Sequence, residues 1–208
     1  DSMTVAAPVH YRKIGGVVAQ RVATLQSSVL RNESGAVATL ARLRRCSPGD
    51  VGAEPAVWAI TVGELPAELQ GRGDAPSPSE RAAHAALVLY ALHQQGRDVG
   101  VHRPGIKLGS AVGRLARARA RDESLDDSTV RRFHQVALAT DFTGRLYFLR
   151  GVIQLLRAER PPIGLDYGLL ADDLRALATG DPHQRDSVLL RWGRDLHSLP
   201  ESDSKERS

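Results

Sequence analysis

Basic side chains are concentrated in one part of this chain. Residues 101–160 contain twelve Lys or Arg and six Asp or Glu, a surplus of six positive charges, although the formal net charge of all 208 residues is only +4. Guanidinium groups donate paired hydrogen bonds that match phosphate oxygens, and a basic face is typical of proteins that bind a polyanion. The chemistry that this segment indicates is contact with phosphate groups.

Three arginines in this segment have the spacing of one helical ridge. In a helix from about Gly109 to Arg121, side chains at 114, 117 and 121 lie within about 60° of one another. Such a ridge can follow a phosphate backbone without contacting bases, although a solvated helix face is the open alternative. The candidate phosphate contacts are Lys107, Arg114, Arg117, Arg121, Arg131 and Arg132, and a second patch consists of Arg42, Arg44 and Arg45.

The dipoles of the predicted helices affect these two groups differently. Arg42, Arg44 and Arg45 close a predicted helix, where cations are favourable by a few tenths of a kcal/mol, so a structural role can explain them. Arg131 and Arg132 follow a predicted helix start, where positive charge is mildly unfavourable. This unfavourable charge slightly favours the presence of a partner that compensates Arg131 and Arg132.

Catalytic and metal-binding patterns are weak. Seven histidines are scattered without a His-Glu-x-x-His pattern, and Cys46 has no partner cysteine. The sequence also contains neither a phosphate-binding glycine loop nor a nucleophile elbow. The acidic pairs 126–127 and 172–173 lie near predicted helix starts, where capping explains them. We therefore expect no enzyme activity, no metal and no cofactor.

Composition favours helices. Aromatic residues make up only 4% of the chain, and Ala and Leu dominate its 42% hydrophobic content. We predict an all-α fold, an elongated bundle of roughly eight to ten helices. A single cysteine excludes an internal disulfide, and we find neither an apolar run of about 18 residues nor a secretory leader. These features predict a cytoplasmic protein with no membrane partner.

Local start and stop signals predict the helix boundaries. Ser77 can cap a helix whose first position suits Pro78, and Glu80 can return the capping-box hydrogen bond. Gly96 can end that helix after about Gln95. Further predicted helices run from a cap at Ser34 to about Arg45, from about Gly109 to Arg121, from 126–128 to a break near 141–144, from Arg145 to Arg157, from Asp166 onward, and from Asp181-Pro182 to about His197.

The domain organisation follows from the same signals. We predict one helical domain over residues 4–199, followed by a disordered polar tail over 200–208. The Gly- and Pro-rich stretch 71–78 is either a break between two subdomains or a surface loop within one domain.

An ordered series of short motifs runs through the chain from about residue 34 to 196. The motifs are Ala41-x-Leu-Arg44-Arg45, Arg132-Phe133 with Leu138, Leu149-Arg150-Gly-Val-Ile-x-Leu-Leu, Leu165-Asp166-Tyr167-x-Leu-Leu-x-x-Asp173-Leu174, and Val188-Leu-Leu-Arg-Trp192-Gly-Arg-Asp195. This series resembles the CasB family, the small subunit of the type I-E CRISPR surveillance complex called Cascade. Order and spacing carry the resemblance, since no single motif is diagnostic.

This resemblance implies a non-enzymatic, all-helical subunit of a ribonucleoprotein. Its expected partners are the guide RNA (crRNA), target DNA, the repeat-backbone and large subunits of Cascade, and a second copy of itself. It would stabilise the R-loop, including the displaced strand, through backbone contacts. Base stacking is expected to be minor, because we interpret Phe133 and Tyr147 as core residues.

Two other functions remain open at this stage. A helix-turn-helix regulator would also be basic and helical, but residues 111–121 lack the Asn, Gln, Ser or Thr side chains that read bases. A helical adaptor that docks an acidic protein through its Arg face has the same charge pattern. Only an adaptor would purify with protein and without guide RNA.

Overall fold

The computed structural model describes residues 8–122 and 124–199, and over these residues it contains eight α-helices and no β-strand. The all-α prediction is confirmed, and the number of helices lies within the predicted range. Two short 3-10 helices, Pro55–Val57 and Ala67–Leu69, lie between the second and third helices. The helices are α1 (Lys13–Leu30), α2 (Ser34–Arg45), α3 (Pro78–Gln94), α4 (Leu108–Arg119), α5 (Asp127–Leu138), α6 (Phe142–Ala158), α7 (Tyr167–Ala178) and α8 (Pro182–His197).

Helix α3 begins with the predicted capping box. The Ser77 hydroxyl accepts a hydrogen bond from the Glu80 amide at 3.0 Å, and the Glu80 carboxylate accepts one from the Ser77 amide at 2.7 Å. Pro78 occupies the first turn, where its missing N–H costs nothing. Gly96 lies just beyond the end of α3 with φ of 65°, a conformation that favours glycine.

Aspartates cap four later helices. Each of these side chains accepts at least one backbone N–H of the first turn, which would otherwise lack a partner. The predicted starts of α5, α7 and α8 are confirmed. The break predicted near 141–144 is instead the start of α6, so this helix begins before Arg145. The capping residues are Asp126, Asp141, Asp166 and Asp181.

Helices α1 and α2 depart from the sequence prediction. No boundary was predicted for α1, and Ser34 is the first helical residue of α2 rather than its cap. Glu33 occupies the cap position without a side-chain capping bond. The predicted end of α2 at Arg45 is confirmed.

The core is organised around α3. Its residues from 82 to 94 are all buried, because α3 packs against α1, α2, α6 and α7 and therefore has no solvent-facing side over this length. Alanines at five positions of this stretch allow neighbouring helices to approach closely. Phe133, Leu149, Leu174 and Trp192, which we expected to be core residues, are buried.

Helix α4 is held against α8 by two glycines. A Cβ on Gly109 would lie 2.6 Å from the carbonyl oxygen of Trp192, and one on Gly113 would lie 2.5 Å from that of Leu196. Both distances are far below van der Waals contact, so the two backbones pack together directly. Helix α4 also packs against α5 and α6. The basic helix therefore has a fixed position on the fold.

The segment 71–78 crosses the surface. Leu65 and Leu87, on either side of it, belong to the same hydrophobic cluster. The prediction of one domain over residues 4–199 stays a prediction, and the predicted tail at 200–208 lies outside the described residues. No helix of the described part has the length and apolar character needed to cross a bilayer.

Candidate nucleic-acid interface

Three of the predicted contacts on and before α4 lie together. Lys107, Arg114 and Arg117 line one cleft of about 350 Å³. The Lys107 amine is 3.3 Å from an Asp195 carboxylate oxygen, and Arg117 donates to the carbonyl of Ser198 at 2.7 Å. Arg114 is exposed and makes no ion pair with any residue that the structure describes. It is thus the cation of this group that is best placed to meet a ligand.

Arg103 extends this group and was missed by the sequence prediction. It lines a neighbouring cleft of about 440 Å³, together with Arg114 and the prolines 161 and 162. The turn that carries Arg103 is fixed, because the Arg103 amide donates to Leu165 O at 2.9 Å and the Gly105 amide donates to Asp166 at 2.7 Å.

The sequence did contain a sign of this residue. Arg103 lies in the same basic segment, residues 101–160, but it was not among the candidate phosphate contacts. We define the α4 basic cluster as Arg103, Lys107, Arg114 and Arg117.

Arg121 does not continue the predicted ridge. Helix α4 ends at Arg119, and its C-cap, Ala120, has extended backbone angles. The chain then folds back toward α4, as shown by the hydrogen bond that the Asp126 amide donates to Ala116 O at 3.0 Å. The predicted alignment of three arginines on one helix was therefore wrong in its last member. Arg121 is exposed, but it lies on the connection to α5.

Arg131 and Arg132 are both exposed on α5. The helix begins at Asp127, so these residues follow its first turn, and the helix dipole affects mainly the first turn. The dipole penalty that we invoked for this pair is therefore small. Arg132 lines a cleft between α5 and α6, whereas Arg131 is not among the residues that line it.

The second predicted patch lies on a different helix, α2. Arg42, Arg44 and Arg45 occupy the last turn of α2, where their charge is favourable to the helix dipole. Arg42 and Arg45 are exposed, and Arg44 is half-buried. Helix α2 packs against α1 and α3, whereas α4 packs against α5, α6 and α8. The structure does not merge the two patches into one helix face.

Tyr147 is a surface residue, contrary to our expectation. Tyr147 is 74% exposed. Phe133, which we also interpreted as a core residue, is 3% exposed, and its ring centroid lies 5.6 Å from that of Trp192. Tyr147 lies in the second turn of α6 on the side away from the core. Its ring contacts that of Phe148 edge to face, with centroids 5.5 Å apart. The interpretation of Tyr147 as a core residue was therefore wrong.

Several arginines of the basic segment have structural roles. Arg145 is 4% exposed and donates hydrogen bonds to the carbonyls of Val136, Ala137 and Ala139 at 2.7–3.0 Å. These carbonyls end α5 and would otherwise lack partners. Arg119 forms an ion pair with Glu159 at 2.7 Å. The charge surplus of the segment thus overstates the number of arginines that can reach a ligand.

The acidic pair at 172–173 also has structural partners, but it does not lie at a helix start. Asp173 accepts a hydrogen bond from the Trp192 indole at 2.8 Å and one from Arg191 at 2.8 Å. Asp172 accepts the amides of Arg12 and Gly15 at 2.8 Å and thereby caps α1 from α7. Burial raises the pKa of both carboxyl groups. Capping was the correct role for Asp172, but on a distant helix.

Three histidines lie in the core. His84 bonds to Ser47 O, His93 to the Tyr167 hydroxyl and His102 to the Tyr167 amide. Burial lowers the pKa of each imidazole, that of His93 to about 3. Among the residues that the structure describes, no group of three or more His, Cys, Asp or Glu side chains could hold a metal ion.

Comparisons with known proteins agree on one family. The model of a family described as CRISPR-associated protein Cse2 (CRISPR_cse2) matches residues 39–197. The crystal structure of CasB from Thermobifida fusca is 35% identical with a TM-score of 0.71, over 91% of this chain and 100% of that chain. A chain of a structure described as a CRISPR RNA-guided surveillance complex has a similar fold, with 21% identity and a TM-score of 0.59 over 92% and 99% of the two chains. No curated protein sequence matches this chain.

Proposed function

This chain belongs to the Cse2/CasB family, the small subunit of type I-E Cascade, and from that premise we propose that its α4 basic cluster holds nucleic-acid backbone. Members of this family are structural subunits, generally without catalysis. The proposed partners are crRNA and target DNA, with the repeat-backbone subunits, the large subunit and a second copy of the chain as protein neighbours. The role of the cluster is to stabilise the R-loop, including its displaced strand.

The observation that supports this proposal most directly is the position of Arg114. It is exposed on the wall shared by two neighbouring clefts, one lined by Lys107 and Arg117 and the other by Arg103. A phosphate in either cleft would meet guanidinium donors, whose fork geometry matches phosphate oxygens. Asp195 offsets part of the Lys107 charge, and Arg117 donates to the Ser198 carbonyl. Arg103 and Arg114 are therefore the two cations of the cluster whose side chains have no partner among the described residues.

Backbone contacts of this kind are sufficient for the role. Forming an R-loop exchanges a DNA duplex for an RNA–DNA duplex of similar stability, so a few kcal/mol of protein contact can shift the balance. The exposed side chains of α4 offer charge rather than base-reading amides, which fits binding without sequence preference. Arg42, Arg44, Arg45, Arg121, Arg131 and Arg132 are proposed as further backbone contacts on other surfaces.

The test is R-loop formation by the reconstituted complex that contains Arg103→Gln with Arg114→Gln. A matched control, Arg72→Gln with Arg185→Gln, removes the same two charges from exposed positions elsewhere. We expect the test variant to assemble normally but to lose stable R-loops. Its binding of single strands should also become less salt-dependent, by about 0.7 in the log–log slope for each phosphate contact removed.

Three outcomes separate the candidate functions. Equal R-loop loss in test and control would reduce the effect to net charge and contradict the proposal. Failure of the test variant to assemble, with its single-strand binding unchanged, would instead favour docking of an acidic protein. Strong preference for one duplex sequence in competition would favour a regulator.

A further inference from the structure

A second cleft, between α5 and α6, combines aromatic, basic and amide side chains on the surface. Its volume is about 410 Å³. Tyr147, Arg150, Gly151 and Gln154 lie at positions i, i+3, i+4 and i+7 of α6 and therefore share one helix face. Across the cleft, Arg132 and Gln135 are one turn apart on α5. All six of these residues line the cleft.

The polar side chains of this cleft are available to a ligand. None of the ion pairs and side-chain hydrogen bonds formed within residues 8–122 and 124–199 engages Arg132 or Arg150. Gln135 and Gln154 are exposed. Two uncompensated cations beside an exposed aromatic ring attract an anion that also has a flat apolar face.

Gly151 gives a second, independent observation. It lies inside α6, where glycine costs about 0.5–1 kcal/mol relative to alanine. A Cβ at this position would have no heavy atom of the described residues within 4 Å, apart from its own helix backbone and chain neighbours. Packing within the protein therefore does not require glycine here. The open space over Gly151, one helical turn from Tyr147, leaves room for a planar group to approach the Tyr147 ring.

We propose that this cleft binds one unpaired nucleotide of a single strand, with the base stacked on Tyr147 and its phosphate between Arg132 and Arg150. Gln135 and Gln154 can each donate to and accept from a base edge, so the site tolerates different bases. The ligand must be single-stranded, because a base within a duplex does not offer its face to a side chain. This inference rests on the proposed function for the class of ligand but uses different residues.

The experiment measures binding of a short thymidine oligonucleotide that carries one 2-aminopurine, using the full chain and fluorescence quenching as the sign of stacking. Tyr147→Ala should weaken binding about five- to a hundredfold and abolish the quenching. Its salt slope should not change, because no charge is removed. Tyr147→Phe should restore both, and Leu138→Ala, at another highly exposed apolar residue, should have no effect.

A second pair of variants tests the space above Gly151. Gly151→Leu should keep or raise the melting temperature, since leucine favours helix, yet reduce oligonucleotide binding at least tenfold. Gly193→Leu is its matched control, because Gly193 is also helical and a Cβ there would likewise meet no heavy atom of the described residues within 4 Å. We expect its binding to equal that of the wild type.

The outcomes distinguish this inference from the proposed function. If Tyr147→Ala binds the oligonucleotide and quenches its fluorescence as the wild type does, the proposed nucleotide site is wrong. Loss of R-loops in the Arg103 and Arg114 variant would in that case still support the proposed function. If Tyr147→Ala instead prevents assembly of the complex but leaves oligonucleotide binding unchanged, the cleft contacts a protein neighbour and the proposal is wrong.

Discussion

The Gly15 amide donates a 2.8 Å hydrogen bond to the carboxylate of Asp172, which lies 157 residues further along the chain. Asp172 also accepts the amide of Arg12, so one side chain on α7 satisfies two unpaired N–H groups at the start of α1. The carboxylate fits there because residue 15 has no side chain. This contact fixes the first helix against the rest of the bundle.

We predict that Gly15→Ala destabilises the protein by about 2 kcal/mol, within the range for overpacked core sites. A Cβ at this position would overlap the Asp172 carboxylate and displace it from both amides. Gly16→Ala is the matched control, since its Cβ would lie 3.9 Å from the nearest atom, in Tyr11. It should be neutral or slightly stabilising, because alanine favours helix. Urea unfolding of both variants checks this, and equal stabilities would contradict it.

The buried Arg145 leads to a second prediction. Arg145→Met keeps much of the side-chain volume but leaves the carbonyls of Val136, Ala137 and Ala139 without their donor. We expect a loss of about 3 kcal/mol in the free energy of unfolding, since each unsatisfied buried carbonyl is costly. Arg131→Met, on the exposed side of α5, should change stability by less than about 0.5 kcal/mol.

The measurement for this pair is chemical denaturation at neutral pH. An Arg145→Met variant as stable as Arg131→Met would show that the three carbonyls find other partners. Because Arg145 is buried, we expect no change in the salt slope of oligonucleotide binding once the remaining folded fraction is taken into account.

The third prediction concerns acid stability and His93. Burial lowers the pKa of His93 to about 3, and the positive charges of Arg157 and Arg97 act in the same direction. A histidine in the unfolded chain has a pKa of about 6.5. The folded state therefore prefers the neutral imidazole. The stability that results is fully present above about pH 6.5 and is lost as the pH falls toward the folded-state value.

For one such histidine, the free energy of unfolding should fall by about 1.4 kcal/mol per pH unit within this window. His93→Gln removes the titrating group and should flatten the slope by that amount, although His84 and His102 still contribute because burial lowers their pKa too. His134→Gln, at an exposed position, is the control for the same substitution on the surface. Unfolding curves at several pH values between 4 and 7 provide the test. Parallel slopes for wild type and His93→Gln would exclude this role for His93.

Helix boundaries were predictable where their causes are local. The capping box of Ser77 and Glu80, the caps at Asp126 and Asp181 and the turn at Gly96 depend on residues within a few positions of one another. These hydrogen bonds join residues that are close in the sequence, so the local pattern of residue types predicts them. Helix α1 lacked such a pattern, because its cap is supplied by Asp172 across the bundle.

The candidate site was only partly predictable. Arg114 and Arg117 were grouped by helical spacing, and the structure places both on α4. They line one cleft with Lys107, which immediately precedes the helix. Arg121 was misplaced because α4 ends at Arg119, and the chain then folds back so that the Asp126 amide donates to Ala116 O. Tyr147 was placed in the core because aromatic residues usually lie there, and only the arrangement of α5 and α6 shows which face of α6 is covered.

The amino-acid sequence by itself determined the all-α class, most helix ends and the concentration of positive charge, because composition, capping and helical period act locally. Only the tertiary structure decided which cations can meet a ligand. Arg145 is used on buried carbonyls and Arg119 on Glu159, whereas Arg103 and Arg114 face open clefts. The physical reason is that the burial and the partners of a side chain depend on residues far apart in the chain. The helical period of one segment gives no information about those residues.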